Sequence, residues 1–151
     1  MRVGEVAALR IADVVDENYR VRTEIVLDAE RTKSKRARRI FLPKLMQQQL
    51  QQYADLISTA STTAGYLFST PKQSHFTANT AAQHLQRLYA QAAIVGATSH
   101  SGRRTYLTEL AAKGVGVRVL AEMAGHASIQ TTQRYIDVND DMMRNACELI
   151  K

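Results

Sequence analysis

Two short apolar runs near the start of the chain limit its possible folds. Residues 19–27 (YRVRTEIVL) place valine, threonine, isoleucine and leucine at every second position, and residues 39–42 (RIFL) form a second run that Pro43 ends. Apolar alternation with a period of two is typical of a β-strand with one buried face. The two runs therefore predict a β-hairpin, and a third apolar run, GYLF at 65–68, could add another strand.

The rest of the chain has the apolar spacing and the stop signals of helices. Gly114 and Gly125 each follow a helical segment, where glycine is the usual stop, and Thr77 can cap the helix after it. The predicted helices cover about 3–9, 45–57, 77–93, 100–113, 117–124, 128–136 and 140–150. The predicted fold class is mainly α with a small antiparallel β-sheet (α+β), in a single domain over residues 1–151.

Positive charge is concentrated in the segment that joins the two predicted strands. The formal net charge is +6, and residues 30–39 (ERTKSKRARR) hold six lysines and arginines and one acidic residue. Such a cluster is typical of a phosphate-binding patch, and the alternative is a solvated basic loop. Because the cluster lies at the turn of the hairpin, both interpretations place it on the surface.

Several functional classes are excluded by composition. Cys147 is the single cysteine, so no internal disulfide can form, and the four histidines show no zinc-ligand spacing. Charged residues interrupt the first 15 positions, which argues against a signal peptide. No run of about 18 apolar residues exists, so no membrane partner is expected. The sequence predicts a cytoplasmic protein with neither a cofactor nor a metal.

A set of polar residues is suited to chemistry on a phosphate. His100 and Arg103 stand three residues apart near a predicted helix start, where anions bind, and Tyr135 follows His126 by nine residues. Singly, such residues are usually a surface pair, a helix cap or part of the core. Covalent phosphoryl transfer without a metal needs arginines for the phosphate, proton-transfer groups and an activated nucleophile. The candidates for these roles are Arg2, Lys33, His100, Arg103, His126 and Tyr135.

The motifs around these residues occur in a recognisable order. They are Arg2-Val3-Gly4-Glu5, Lys33 in the hairpin, His100-Ser-Gly-Arg103, the Gly125-His126 pair, and Thr131-Thr-Gln-Arg-Tyr135. In order and spacing they resemble the arginine boxes, the hairpin lysine and the nucleophile segment of tyrosine recombinases, the phage integrase family. Members of that family have further helices and a separate DNA-clamping helical domain ahead of the first box. The chain is therefore expected to be a catalytic domain that lacks those parts.

The resemblance implies a site-specific DNA recombinase or integrase that cleaves and rejoins DNA through a 3′-phosphotyrosyl intermediate. In that scheme Tyr135 is the nucleophile, Arg2 and Arg103 clamp the non-bridging phosphate oxygens, and Lys33 protonates the leaving 5′-oxygen. His100 assists proton transfer and His126 hydrogen-bonds the phosphate. Glu5 is expected to orient a histidine. The other predicted DNA contacts are Arg31, Lys35, Arg36, Arg38 and Arg39.

The implied partners are double-stranded DNA and other recombinase subunits assembled on it as a tetramer, in a bacterial, phage or plasmid setting. One alternative is an inactive or incomplete DNA-binding remnant of a mobile-element integrase. Another is a type IB topoisomerase-like enzyme without strand exchange. Without DNA, the chain is expected to be a monomer whose last helix, 140–150, packs its apolar stripe on its own domain.

Overall fold

A computed structural model of the protein describes residues 1–32, 35–58, 65–70, 75–136 and 140–150. The chain divides into two compact units, Met1–Thr98 and Ser99–Lys151. The elements of the first unit are α1 Val3–Ala7, α2 Ile11–Val14, β1 Glu24–Leu27, β2 Arg38–Phe41, α3 Lys44–Ser58 and α4 Ala78–Gln91. Those of the second are α5 Ser101–Ala112, α6 Val117–Ala124, α7 Ile129–Gln133 and α8 Asp140–Cys147. The predicted fold class is confirmed.

The predicted hairpin is present, with shorter strands than the sequence indicated. β1 and β2 pair antiparallel, with Leu27 opposite Arg38. The first strand begins at Glu24 instead of residue 19, because in this register residue 21 would lie opposite Lys44, where α3 begins. Val21 instead forms an isolated bridge with Val15, and its N–H donates to the side-chain oxygen of Gln51 at 2.9 Å. The basic segment does join the two strands, and it begins with a 3₁₀ turn at Ala29–Arg31.

The first helix ends earlier than predicted because its continuation pairs with another segment. The Leu67 N–H donates to the Leu9 carbonyl at 2.8 Å, and the Ile11 N–H donates to the Gly65 carbonyl at 2.9 Å. Residues 9–11 therefore pair with residues 65–67, and α1 ends at Ala7. The GYLF run therefore forms an isolated bridge, Arg10 with Tyr66, and not a third strand of the sheet. The short helix α2 was not predicted.

Each unit has its own apolar core. The core of the first unit consists of Leu9, Ile11, Val14, Val15, Ile25, Leu27, Ala54 and Leu67. The core of the second is smaller and consists of Leu107, Ala111, Leu120 and Ala124, with Leu110, Val115, Tyr135 and Ile136 packed against it. The ring of the predicted nucleophile therefore lies against α5 and α6, which gives its position a rigid support.

The helix caps and stops of the second half follow the sequence signals. The Thr77 side chain accepts a hydrogen bond from the Thr80 N–H at the start of α4. Gly114 and Gly125 have φ of +82° and +63°, the left-handed conformation in which glycine ends a helix without steric cost. None of the described helices is long and apolar enough to cross a membrane.

The expectation that the last helix packs on its own domain is wrong. Met143 is 53% exposed, and Leu149 and Ile150, which follow α8, are 83% and 86% exposed. The helix is eight residues long and ends at Cys147. Four of its residues are polar, so Met142 and Met143 are its only large apolar side chains, too few to anchor it.

Candidate active site

A buried carboxylate holds the predicted Arg2 in the first unit. Glu5 Oε2 accepts a hydrogen bond from the Arg2 N–H at 2.6 Å, as in a capping box, and Glu5 Oε1 lies 3.3 Å from Arg2 Nη1. The same carboxylate accepts from Arg38 Nη2 at 2.5 Å. Glu5 is 6% exposed and Arg38 is 8% exposed, whereas the Arg2 side chain is 26% exposed. Glu5 therefore links a partly accessible arginine to a buried one.

These contacts concern two residues to which the sequence analysis gave other roles. The sequence predicted that Glu5 orients a histidine, but in the first unit its carboxylate contacts two arginines. Arg38 was predicted to contact DNA, yet its guanidinium is buried in the ion pair with Glu5. Because it precedes the inward-facing Ile40 by two residues on β2, Arg38 lies on the inner face of the strand.

Arg31 is also engaged inside the protein. Its guanidinium donates to both carboxylate oxygens of Asp13, at 2.9 and 2.6 Å, and to the Ala8 carbonyl at 2.8 Å. Burial raises the pKa of the Asp13 carboxyl, but the hydrogen bonds from Arg31 and the Arg10 N–H outweigh burial and lower that pKa below 3.8. The hydrogen bond to Asp13 raises the pKa of Arg31. Arg31 thus ties the start of the basic segment to α1 and α2.

Three described cations of the basic segment face solvent. Lys35, Arg36 and Arg39 are exposed. Thr32 is buried; its Oγ1 lies 2.9 Å from the Arg36 carbonyl and 3.2 Å from the Ala29 carbonyl, to one of which the hydroxyl donates, and it accepts from the Arg36 N–H at 3.1 Å. These contacts close the described part of the loop on itself. Lys33, the predicted general acid, lies outside the described residues.

In the second unit, α5 carries the predicted His100 and Arg103. His100 is the N-cap residue of α5 and is exposed. Arg103, three residues later, is half-buried, and its Nη2 donates to the carbonyl of Ala124, the last residue of α6. Arginine is a favourable partner for the last carbonyls of a helix, which carry partial negative charge. This contact holds α5 and the end of α6 together.

The turn after α6 positions the second histidine next to the predicted nucleophile. Gly125 adopts the left-handed conformation, and the His126 N–H then donates to the Ala121 carbonyl at 3.0 Å. The centroids of the His126 and Tyr135 rings lie 6.1 Å apart, with the rings inclined by 28°. His126 and Tyr135 are both half-buried, so both rings are partly accessible.

One neighbour of this pair was missed by the sequence analysis. Thr132 is 0% exposed, and its Oγ1 lies 2.8 Å from His126 Nδ1. The Thr132 carbonyl accepts from the Tyr135 N–H at 2.9 Å. Its position in a Thr-Thr pair three residues before Tyr135 was visible in the sequence, but nothing there distinguished Thr132 from the exposed Thr131.

The family model described as the phage integrase family matches residues 1–142. The chain belongs to the phage integrase family. As a member of it, the chain resembles tyrosine recombinase XerD of Rhizobium meliloti (strain 1021), with 30% identity over 148 residues. That match covers 96% of this chain and 45% of XerD.

Solved structures of integrase-family proteins share the fold. The crystal structure of XerA recombinase has a TM-score of 0.77 and 29% identity, with 98% of this chain and 52% of that chain covered. The Tn1549 transposon integrase in complex with circular intermediate DNA has a TM-score of 0.71 and 20% identity, covering 100% and 56%. The matched parts of the first curated relatives make up between 24% and 49% of their lengths. This phage integrase family chain thus spans about half of those proteins or less.

The ion pairs of Glu5 with Arg2 and Arg38 lead to a prediction about stability. Glu5→Ala leaves the buried Arg38 without its carboxylate and should lower the free energy of unfolding by about 3–5 kcal/mol, the usual cost of breaking a buried pair. The matched control is Glu24→Ala, which removes a 3.9 Å contact to Arg39, whose side chain is 69% exposed. That variant should lower the free energy of unfolding by only about 0–1 kcal/mol. Urea unfolding followed by circular dichroism measures both, and equal decreases would contradict the assignment of Glu5 as the buried link.

Proposed function

We propose that this chain is the catalytic part of a site-specific DNA recombinase that cleaves and rejoins DNA through a 3′-phosphotyrosyl bond to Tyr135. The observation that carries the proposal is the distance of 6.1 Å between the centroids of the Tyr135 and His126 rings, which lie just after α7 and just after α6. The Arg103 guanidinium donates to the carbonyl of Ala124, which precedes His126 by two residues. A nucleophile, a proton-exchanging ring and an arginine therefore share one small helical unit.

The reaction is a transesterification. The Tyr135 oxygen bonds to the scissile phosphorus as the bond from phosphorus to the 5′-oxygen breaks, and the tyrosine proton passes to a base for which His100 is the candidate. The leaving 5′-oxygen takes a proton from Lys33. Attack by a 5′-hydroxyl of a partner strand reverses these steps and restores the phosphodiester. The covalent bond to tyrosine conserves the free energy of the phosphodiester, so no nucleoside triphosphate is consumed.

Charge on the phosphate is the main barrier, and two arginines are proposed to offset it. Fixed donors directed at developing charge are the largest contribution in many enzymes. Arg2 and Arg103 would each bind non-bridging oxygens of the scissile phosphate, and His126 would donate a third hydrogen bond. The Glu5 carboxylate supports this role for Arg2, because it holds both the backbone N–H and the guanidinium of that residue.

The proposed substrate is double-stranded DNA, on which several subunits assemble, with a tetramer as the expected complex. The Tn1549 integrase, a structural neighbour, was solved with circular intermediate DNA. On this chain, the exposed Lys35, Arg36 and Arg39 are the proposed contacts to the DNA backbone. Arg31 and Arg38 are proposed to shape the segment instead of binding DNA, since both guanidinium groups are held by carboxylates.

Tyr135→Phe tests the nucleophile. The variant keeps the ring that packs on the second core and removes only the hydroxyl, so it should bind DNA as the parent does but form no covalent protein–DNA adduct on a nicked trapping substrate. Denaturing gel electrophoresis of labelled DNA measures the adduct. The matched control is Tyr106→Phe on α5, an exposed tyrosine outside the proposed site, which should retain the parent yield. Failure of the parent itself to form adduct would favour the DNA-binding remnant.

Lys33→Ala tests the general acid. If Lys33 protonates the leaving 5′-oxygen, the variant should cleave ordinary DNA about 10²–10⁴-fold more slowly, the usual contribution of a positioned acid. A 5′-bridging phosphorothiolate leaves as a weakly basic thiolate that needs no proton, so the variant should cleave that substrate at close to the parent rate.

Arg103→Ala is the comparison for this experiment. The proposed role of Arg103 is to offset charge on the non-bridging oxygens. Bridging sulfur does not take over that role, so the phosphorothiolate should not fully restore cleavage by Arg103→Ala. Equal rescue of both variants would refute the separate roles, and no rescue of Lys33→Ala would refute the acid assignment.

Salt titration tests the basic segment. Affinity for DNA should fall with salt with a slope near −0.9 for each phosphate bound, and the double variant Arg36→Gln/Arg39→Gln should flatten the slope by about 0.9 for each phosphate that it no longer binds. Arg31→Gln, in the same segment, should leave the slope unchanged and lower the stability instead, because its guanidinium is bound to Asp13. Fluorescence anisotropy at several salt concentrations measures the slopes. Unchanged slopes in the double variant would remove this segment from the DNA interface.

A further inference from the structure

The buried hydroxyl of Thr132 is placed to control the protonation pattern of His126. Thr132 lies within α7, its side chain is fully shielded from solvent, and its Oγ1 is 2.8 Å from His126 Nδ1. Within the described part of the chain, no other polar contact is made by this hydroxyl. The chemistry of the pair therefore depends on which of the two atoms donates the hydrogen.

The burial of Thr132 favours one of the two arrangements. If Nδ1 carried the hydrogen, the threonine oxygen would accept it and its own O–H would point into the protein interior without an acceptor. A buried donor without a partner costs more than a hydrogen bond contributes. If the hydroxyl donates to the Nδ1 lone pair, both groups are satisfied and the ring hydrogen is on Nε2.

The same residue also contacts the backbone of the nucleophile segment. The Thr132 carbonyl accepts the Tyr135 N–H at 2.9 Å, in the turn that follows α7. One residue thus holds the imidazole through its side chain and the tyrosine through its main chain. A displacement of Thr132 would change the position of both rings together.

We propose that Thr132 is a positioning residue that fixes His126 as the tautomer with its hydrogen on Nε2 and sets that ring against Tyr135. Its consequence for the reaction rests on the proposed function: a ring nitrogen that carries a hydrogen donates to a phosphate oxygen, whereas a bare nitrogen cannot. Thr132 itself does not touch the substrate. It acts by keeping His126 in the form that donates.

The tautomer can be observed directly by NMR in the whole 151-residue chain labelled with ¹⁵N. Long-range ¹H–¹⁵N spectra distinguish a ring nitrogen that carries hydrogen from one that does not, and His126→Asn identifies the signals of His126. At a pH well above the ordinary histidine pKa of about 6.5, the parent should show Nε2 protonated and Nδ1 bare. Thr132→Val, of nearly the same shape, should give an exchange-averaged mixture of tautomers, and Thr132→Ser should restore the parent pattern.

Thr131→Val is the matched control, because Thr131 is the exposed neighbour on the same helix, and it should leave the spectrum unchanged. A parent spectrum with the hydrogen on Nδ1 would overturn the proposal. So would identical His126 signals in the parent and in Thr132→Val.

Adduct formation provides the second measurement. Thr132→Val should slow formation of the covalent protein–DNA adduct about tenfold, comparable with the lower end of the effect of removing the hydrogen-bond partner of a metal-bound histidine. In a His126→Asn background the same substitution should have no further effect, as expected for residues that act through each other. An equal decrease in both backgrounds would overturn the coupling. If the parent forms no adduct, the proposed function fails, and the spectra still decide the role of Thr132.

Discussion

The first unit depends on one carboxylate that is almost completely shielded from water. Glu5 lies in α1, and its carboxylate binds Arg2, the N-cap residue of that helix, and Arg38, 33 residues further along the chain on β2. Two cations around one buried anion are stable only if the geometry satisfies all three groups, since unpaired buried charge is costly. This requirement couples the helix that presents Arg2 to the strand that follows the basic segment.

A second pairing acts on the other end of the same segment. Asp13 in α2 accepts hydrogen bonds from Arg31 in the 3₁₀ turn after β1, and Arg31 also donates to the Ala8 carbonyl. The basic segment is thus tied to the α1–α2 region at both ends, at Arg31 and at Arg38. In the second unit, uncharged partners have the equivalent role, because Arg103 donates to a carbonyl and His126 is hydrogen-bonded to a hydroxyl.

Much of this arrangement was accessible from the sequence, because local signals determine it. Period-two alternation predicted the hairpin, glycine stops predicted α5 and α6, and the order of motifs predicted the family. The limit of β1 was missed because it depends on the register, which places residue 21 opposite Lys44 at the start of α3, and no local pattern reveals the register. The burial of α8 was predicted wrongly, because an apolar stripe shows only which face of a helix could be buried. Whether that face is buried depends on an apolar surface nearby that can cover it.

The site residues show the same limit. His126 and Tyr135 lie near each other, as the resemblance implied for two residues of one site. The two arginine contacts of Glu5 were not foreseen and Thr132 was overlooked, since both follow from contacts that the sequence does not show. For Arg38 a usable signal existed: it lies two residues before Ile40, and on a β-strand side chains two residues apart share one face. Charge alone does not separate Arg38 from the exposed Arg39 beside it.

The division of the basic segment into held and exposed cations has a consequence for how the segment can vary. A guanidinium that binds both oxygens of a carboxylate and a carbonyl at once uses its planar fork, which an ammonium group cannot reproduce. Lysine should therefore be a poor substitute at 31, where that fork binds Asp13 and Ala8, and at the buried position 38. Lysine and arginine should be interchangeable at 35, 36 and 39, where only positive charge near a polyanion is required. Among the described positions of the basic segment, 31 and 38 thus require arginine, whereas 35, 36 and 39 require only a positive charge.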